Sequence, residues 1–421
     1  MTDFSLITAC GECCVGCTKK KEGICPGCIE AEGKVPEWAE SGICRVYACC
    51  RNHEALFCGL CSEFPCEKLP QMIPWNADIV NHLSELRDIY NAQINAFKNP
   101  DNSIDKDKLK LVLKNWDIDD PSICEQFNEN SERLIFRIHT DKCDYILKGL
   151  PSSISESTIK SNVRAHIFLG NENGLAPKIY PTGDGKYYIQ ENGFWFYLIE
   201  YIDGRKMEET PEDEYRIAQV TRRLHGLHGY KIKSPMTQSK MRYYTWFRKH
   251  EFVKEFDAIL DSIPDFEKLD QCFVHTDIGP HNTMMKKNGD VVFIDLDDSG
   301  SGSRYLDLGW PFIMQFVDFN HETEEMKYRF DLAESFLKGY FGDDTLSREE
   351  YDLIFAGAIQ MHISYMQSYG PYAVASLWKI LLFGIEQKEK LWDIIQSPSI
   401  TGTVHLLKEI SPNPRLQNTW L

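Results

Sequence analysis

The sequence predicts an α+β protein in which a β-rich lobe precedes a helical lobe, with a small cysteine-rich domain at the N-terminus. Twelve of the 15 cysteines lie between Cys10 and Cys66. Short β-type runs begin near residue 134, and helical periodicity dominates from about residue 211. A strand-rich half followed by a helix-rich half indicates two packed lobes with a cleft between them.

The composition is that of a globular protein, with 43% hydrophobic and 26% charged residues. A net charge of -17 disfavours a surface that binds nucleic acid phosphates or anionic membranes, so we expect neither partner. The first residues lack the pattern of a secretory leader, and no window reaches the roughly 18 apolar residues of a membrane span. We therefore expect a cytoplasmic protein.

The cysteine-rich domain is predicted to cover residues 1–100 and to end in a helix within "NADIVNHLSELRDIYNAQINAF". Pairs of cysteines separated by two residues can direct both thiolates at one metal ion. In a cytosolic setting this favours zinc over disulfides, with an iron–sulfur cluster as the alternative. The candidate ligands are Cys10, Cys13, Cys14, Cys17, Cys25, Cys28, Cys44, Cys49, Cys50, Cys58, Cys61 and Cys66.

The motifs "CGEC", "CPGC" and "CGLCSEFPCEKL" resemble a cysteine-rich bacterial and archaeal domain family of unknown function. The resemblance covers about residues 7–95 and implies no activity. A protein partner for this domain is compatible with the sequence, although no residue identifies one.

A boundary is expected near residue 101, where the polar run "KNPDNSIDKDK" has no apolar period. The β-rich lobe would then cover residues 101–205, with strands in "ERLIFRIHT", "CDYILKGL", "KYYIQ" and "FWFYLIEYI". The helical lobe would cover residues 206–421, beginning with the periodic segment "PEDEYRIAQVTRRLHGLHG".

The segment "VHTDIGPHNTMM" carries His275, Asp277 and Asn282 at the offsets of a kinase catalytic loop. Its apolar flanks indicate burial, and buried polar groups must be hydrogen-bonded or functional. Taken alone, the same pattern also fits a polar turn with a satisfied histidine. Other motifs therefore decide its interpretation.

Two further segments supply groups that suit a phosphate and its metal ion. The β-type run "DVVFIDLDDSGSG" delivers Asp295, and an Asn–Asp pair across a hairpin suits Mg²⁺, which prefers oxygen ligands. Lys148 ends the apolar run "DYILKGL", where it either meets a phosphate or is a solvated strand-end lysine. Asp297 and Asp298 fit either a second Mg²⁺ or a solvated acidic turn.

The order of Lys148, "LIEYIDG", "HTDIGPHN", "IDLDDS" and "YLDLGW" resembles the aminoglycoside phosphotransferase superfamily, which includes choline and homoserine kinases. The resemblance covers about residues 105–400. It implies a bilobal protein-kinase-like fold that uses ATP and Mg²⁺ to phosphorylate a hydroxyl group of a small molecule.

The resemblance also implies roles for individual residues. Asp277 would be the catalytic base, Asn282 and Asp295 would hold Mg²⁺, and Lys148 would contact the α- and β-phosphates. Asp307 would brace the catalytic loop and His275 would orient it. The main chain that would lie against adenine belongs to Glu200, Tyr201 and Ile202.

The chain departs from this pattern at the partner of Lys148. Kinase-like folds pair the strand lysine with a helix glutamate, but the usual interval lands near Asn162, and no acid stands between Glu156 and Glu172. Either Glu156 substitutes, or Lys148 is held in another way. The missing acid favours one alternative, a pseudokinase that binds nucleotide without transfer. The cysteine cluster supports another, a metal- or redox-regulated module in which the cysteines carry the function.

Overall fold

A computed structural model of the chain describes residues 2–396 except 26, 30, 32, 36–42, 54, 102, 119–120, 128–131, 238–250, 321 and 369–373. The segment "FNENSERLIF", which precedes the first strand that the sequence predicts and overlaps it, lies partly outside this set. Thirteen α-helices and thirteen strands are formed by the described residues.

The N-terminal region contains helices α1 (Thr18–Lys21), α2 (Arg45–Asn52), α3 (Leu69–Met72) and α4 (Ile79–Ile94). The predicted closing helix is α4. It buries a stripe of residues at helical spacing against Phe4 and Phe57, whereas Ile89 is 42% exposed because it lies on the flank of that stripe. The buried stripe consists of Ile79, Leu83, Leu86 and Tyr90.

A six-stranded antiparallel sheet follows helix α5 (Lys106–Leu113). The strands run in the spatial order β1-β2-β3-β6-β4, with β5 paired to β6. Sequence patterns identify β2, β3, β5 and β6 but not β1 and β4. The bounds are β1 (Ser122–Phe127), β2 (Leu134–His139), β3 (Asp144–Pro151), β4 (Ile179–Tyr180), β5 (Ile189–Glu191) and β6 (Phe194–Glu200).

Helix α6 (Glu156–His166) packs against this sheet and continues as a π-helical segment, Ile167–Glu172. Ser155 caps its N-terminus, since the hydroxyl oxygen accepts a hydrogen bond from Thr158 N at 3.2 Å. The buried face of α6 combines apolar Ile159 and Val163 with polar Asn162. A polar side chain therefore points from α6 toward the interior.

The C-terminal half contains the largest buried apolar cluster of the described chain. Two of its helices, α9 and α11, approach so closely that a Cβ on Gly309 or Gly357 would collide with the facing backbone. The helices are α7 (Pro211–His225), α8 (Val253–Asp261), α9 (Arg304–Met314), α10 (Phe330–Phe341), α11 (Arg348–Ser368), α12 (Val374–Glu386) and α13 (Lys388–Gln396).

Three small antiparallel sheets lie among these helices, with strand orders β10-β9-β7, β11-β8 and β12-β13. The first two flank the segment from His275 to Asn282. None of the described helices combines the length and the apolar character that crossing a membrane requires. The strands are β7 (Gly204–Lys206), β8 (Gln271–Val274), β9 (Thr283–Lys286), β10 (Val291–Phe293), β11 (Gly300–Ser303), β12 (Val317–Phe319) and β13 (Met326–Tyr328).

Candidate active site

The predicted catalytic loop, residues 275–282, begins where buried strand β8 ends. The fully buried carboxylate of Asp307, in α9, accepts hydrogen bonds from His275 N at 2.7 Å and Thr276 N at 2.5 Å. His225 Nε2 lies 3.1 Å from the same carboxylate. Asp307 therefore holds the first two residues of the loop by hydrogen bonds, which is compatible with the bracing role that the family resemblance implies.

The loop backbone turns through a conformation that side chains rarely adopt. Thr276 has φ 72°, in the left-handed region that residues other than glycine rarely adopt. Its hydroxyl donates to His275 O at 2.6 Å and lies 3.2 Å from Asp298 O. His275 Nε2 lies 2.9 Å from Ile294 O and so joins the loop to the segment after β10. These contacts offset the strain at Thr276.

Asp277 is held by two other residues of the same loop. Asn282 Nδ2 donates to Asp277 Oδ2 at 2.8 Å and to Asp277 O at 2.9 Å, and His281 Nε2 lies 3.0 Å from Asp277 Oδ1. Burial raises the pKa of Asp277, but the hydrogen bond and the charge of His281 lower it by more. The net pKa of Asp277 is therefore below its ordinary value. The carboxylate of Asp277 is therefore ionised, and Asn282 and His281 hold it in one orientation.

The hairpin of β9 and β10 brings Asn282 and Asp295 together. Its register pairs Phe293 with Thr283, and the next step joins Ile294 N to Asn282 O at 2.8 Å. The side-chain nitrogen of Asn282 donates to Asp277, so the side-chain oxygen Oδ1 is the atom that can bind a cation. Asp295 has φ 58° and a side chain 45% exposed. Two such oxygen donors fit Mg²⁺.

Lys148 is buried and meets two carboxylates. Its Nζ lies 3.0 Å from Asp295 Oδ1 and 2.9 Å from Asp297 Oδ1. Burial lowers the pKa of Lys148, yet these charges dominate and hold it well above the ordinary value. The charge of Lys148 in turn lowers the pKa of Asp295 to about 2. The interpretation of Lys148 as a solvated strand-end residue is wrong.

Glu156 does not substitute for the missing helix acid. Its carboxylate accepts a hydrogen bond from Tyr188 Oη at 2.8 Å and pairs with Lys160 at 3.0 Å on the surface of α6. Lys148 is therefore held in another way, by Asp295 and Asp297. Asp297 is also not a solvated turn residue, since its side chain is only 18% exposed.

The predicted adenine-binding segment begins at Glu200, the last residue of β6. Glu200 N donates to Lys178 O at 2.8 Å, and Tyr201 N donates to Asp144 O at 3.4 Å. Ile202 is buried, and its N–H has no hydrogen-bond partner among the described residues. The segment therefore offers one unused main-chain donor beside an apolar side chain, which is compatible with the predicted role.

These motifs coincide with the match to a known family. Residues 123–345, more than half of the chain, match APH, the phosphotransferase enzyme family. The chain belongs to this family.

Solved structures similar to this phosphotransferase include an amicoumacin kinase in complex with AMP-PNP and Ca²⁺ (16% identity, 68% of this chain and 93% of the other, TM-score 0.49). An aminoglycoside phosphotransferase from Alicyclobacillus acidocaldarius is also similar (14% identity, 67% and 93%, TM-score 0.43). A Plasmodium vivax ethanolamine kinase shares 14% identity over 74% of this chain and 93% of its own (TM-score 0.46).

Two predictions are thereby confirmed: the α+β class with a β-rich part before a helical part, and membership of the phosphotransferases. The cysteine-rich segment lies N-terminal to the matched residues. The predicted domain boundaries and the roles of individual site residues stay predictions.

The cysteines form two neighbourhoods in the structure of this phosphotransferase. Cys10, Cys14, Cys28 and Cys44 interact electrostatically, and burial together with these neighbours raises the pKa of Cys28 to about 12. The second neighbourhood is a small cavity lined by His53 and by five cysteines, namely Cys49, Cys50, Cys58, Cys61 and Cys66.

The twelve predicted ligands all carry free thiols, so the structure pairs none of them in a disulfide. No three His, Cys, Asp or Glu side chains are placed to hold a metal ion in the part of the chain that the structure describes. The predictions of zinc and of an iron–sulfur cluster are therefore not supported, because CxxC spacing brings thiols near one another without fixing where each sulfur points.

Proposed function

We propose that the chain transfers the γ-phosphoryl group of ATP, with Mg²⁺, to a hydroxyl group of a small molecule. The observation that carries this proposal is one connected set of contacts. Asp277 is bonded to Asn282, Asn282 is bonded to the segment of Asp295, and Asp295 is bonded to Lys148. The residues that we propose as base, metal ligands and phosphate-binding cation are therefore connected to one another by hydrogen bonds.

Asp277 is the residue that would meet the acceptor. Its carboxylate would accept the hydroxyl proton as the oxygen bonds to the γ-phosphorus and the bond from that phosphorus to the ADP oxygen breaks. An aspartate is already unprotonated near neutral pH, so this role needs no unusual pKa, and the lowered pKa of Asp277 is compatible with it. The hydrogen bonds from Asn282 and His281 orient it, and positioning supplies much of the catalysis in phosphoryl transfer.

Asn282 and Asp295 would hold Mg²⁺ through their side-chain oxygens, and the ion would neutralise charge on the nucleotide phosphates. Lys148 would bind the same phosphates from the β-rich lobe. The main chain of Glu200, Tyr201 and Ile202 would receive the adenine, with Ile202 N–H as the free donor.

The interaction of Glu209 and Asp318 near His281 leads us to propose an acceptor that carries a positive charge. Burial raises the pKa of Glu209, and the charge of Asp318 raises it further, while His281 also acts on Glu209. Glu209 therefore interacts with Asp318 and with His281, while Arg329 supplies one opposing positive charge. An acceptor with an amino group near its hydroxyl would satisfy both carboxylates.

The test is phosphoryl transfer from ³²P-labelled ATP to a panel of hydroxyl compounds, with amino alcohols and neutral polyols compared at equal concentration. We expect a labelled product that requires Mg²⁺ and comes from the amino alcohols. Product from neutral polyols alone would contradict the proposal of a positively charged acceptor. Absence of product from every acceptor, with ATP still bound, would favour the pseudokinase.

A further inference from the structure

The buried polar residue of α6 stands where kinase-like folds have their helix acid. Asn162 is 2% exposed, and its Nδ2 donates to Asp297 Oδ1 at 3.1 Å. The same oxygen accepts a hydrogen bond from Lys148 Nζ at 2.9 Å. The helix thus reaches the lysine through a carboxylate that belongs to the segment after β10.

Asp297 is the centre of this arrangement. While Oδ1 is shared by Lys148 and Asn162, Oδ2 lies 3.2 Å from Arg133 NH1, just before β2. One carboxylate therefore joins β3, α6 and the start of β2. A charge-assisted contact of this kind, in a site only 18% exposed, is stronger and less screened than a surface ion pair.

Asp295 contacts the same lysine but differs from Asp297 in its exposure and in its other hydrogen-bond partners. Its side chain is 45% exposed, and its only described bond is to Lys148. A cation at the site can draw Asp295 away without leaving Lys148 unpaired, because Asp297 remains. By contrast, both oxygens of Asp297 already receive cationic or amide donors, which leaves it poorly placed to bind a metal ion.

We propose that Asp297 is a positioning residue that holds Lys148 against the nucleotide phosphates, in place of a helix glutamate, and that Asn162 fixes Asp297. This inference rests on the proposed function, since it assumes that Lys148 meets a nucleotide. It also explains why α6 has no acid to pair with Lys148. The acid is Asp297, from the segment after β10, and it contacts α6 through the side-chain amide of Asn162.

The test measures ATP affinity by calorimetry, with Mg²⁺ and without it in EDTA. Asp297→Asn removes a negative charge near the phosphates, which alone would strengthen ATP binding. We expect instead that affinity falls by about tenfold or more under both conditions, because Lys148 is left to Asp295. The Mg²⁺ concentration for half-saturation should stay the same.

Two further variants separate positioning from folding and charge. Asn162→Asp combined with Asp297→Asn moves the carboxylate to the helix at constant net charge and should recover most of the lost affinity. Glu156→Gln, a matched loss of an acid on α6, should bind ATP like the wild type. If Asp297→Asn does not fold, Asn162→Ala, which changes no charge, should weaken ATP binding by a smaller factor.

Unchanged or tighter ATP binding by Asp297→Asn would overturn the proposal. So would a loss confined to Mg²⁺-containing buffer, which would make Asp297 a metal ligand, or a double variant no better than Asp297→Asn. A wild-type protein that binds no ATP would refute the proposed function itself. These results are distinguishable because the wild-type isotherm is measured first.

Discussion

The catalytic loop and the phosphate side of the cleft are held by different kinds of contact. The loop is fixed by fully buried Asp307, which accepts two main-chain hydrogen bonds. The phosphate side is fixed by ion pairs of Lys148 with Asp295 and Asp297. No ligand is needed to satisfy the first set, whereas under the proposed function nucleotide and metal would compete for members of the second.

This difference separates contacts that stabilise the fold from contacts that are expected to affect ligand binding. Contacts to Asp307 belong to the folded state, and their loss should lower the free energy of unfolding. Under the proposed function, ligands would replace part of the contact between Lys148 and Asp295, so loss of this contact should change affinity more than stability. Four substitutions test this division, in order of the expected effect.

The largest effect is expected for Asp277→Asn. The amide keeps the shape and the contact with Asn282 but cannot accept the acceptor's proton, so turnover should fall by about 10² to 10⁴. ATP affinity should remain within about twofold, since Asp277 touches no predicted nucleotide ligand other than Asn282. Single-turnover transfer and calorimetry measure the two quantities. An equal loss of turnover and of ATP affinity would contradict the division between the catalytic loop and the phosphate side of the cleft.

Asp307→Ala should destabilise the fold by about 3–5 kcal/mol, because it leaves the buried N–H groups of His275 and Thr276 without their acceptor. Urea unfolding followed by tryptophan fluorescence measures the change. Asp344→Ala is the control, since Asp344 pairs with Arg222 on the surface and should cost no more than about 1 kcal/mol. Similar values for the two variants would show that the brace is not structural.

A buried carboxyl without a partner gives a pH-dependent prediction. Both oxygens of Glu214, in α7, lack hydrogen-bond partners among the described residues. Burial, with the charges of Glu209 and Asp213, raises the pKa of Glu214 to about 8. An unfolded chain releases this proton near pH 4, so the free energy of unfolding falls as pH rises from about 4 to about 8.

Glu214→Gln removes that dependence. The variant should match the wild type near pH 4 and exceed its stability above pH 8 by on the order of a few kcal/mol. Unfolding titrations at several pH values measure the difference, with Glu212→Gln as the exposed control on the same helix. A wild-type advantage at high pH would mean that Glu214 is ionised and paired in the folded protein.

The smallest effect is expected for His281→Ala. Asp277 would lose one hydrogen bond but keep those from Asn282, so transfer should change by less than about tenfold. His228→Ala, at an exposed histidine bonded to Gln271 O, should have no effect. A loss as large as that of Asp277→Asn would give His281 a direct part in proton transfer.

The sequence predicts the parts of the site that are local in the chain. Asp277 and Asn282 lie five residues apart, and one hairpin links them to Asp295, so their proximity follows from the local chain, while their roles follow from the family resemblance. Asp307 follows from its motif. The contact of His281 with Asp277 spans four residues, and that short interval is the signal that could have revealed it.

The long-range contacts could not be predicted in the same way. Asn162 and Asp297 are 135 residues apart and meet only because α6 packs on the sheet. A polar residue within the apolar stripe of α6 was the available signal. The cysteine spacing, likewise, predicts which thiols are neighbours but not a ligand geometry, because that depends on side-chain directions set by tertiary packing.

The central claim, that Asn282 and Asp295 serve a nucleotide-bound Mg²⁺ ion, is tested most directly by ATP binding to Asp295→Ala. Asp290→Ala is the matched control, since Asp290 is an exposed acid in the turn of the same hairpin. We expect Mg²⁺-dependent ATP binding to be lost in Asp295→Ala and kept in Asp290→Ala. Equal Mg²⁺-dependent affinity in both variants would contradict the claim.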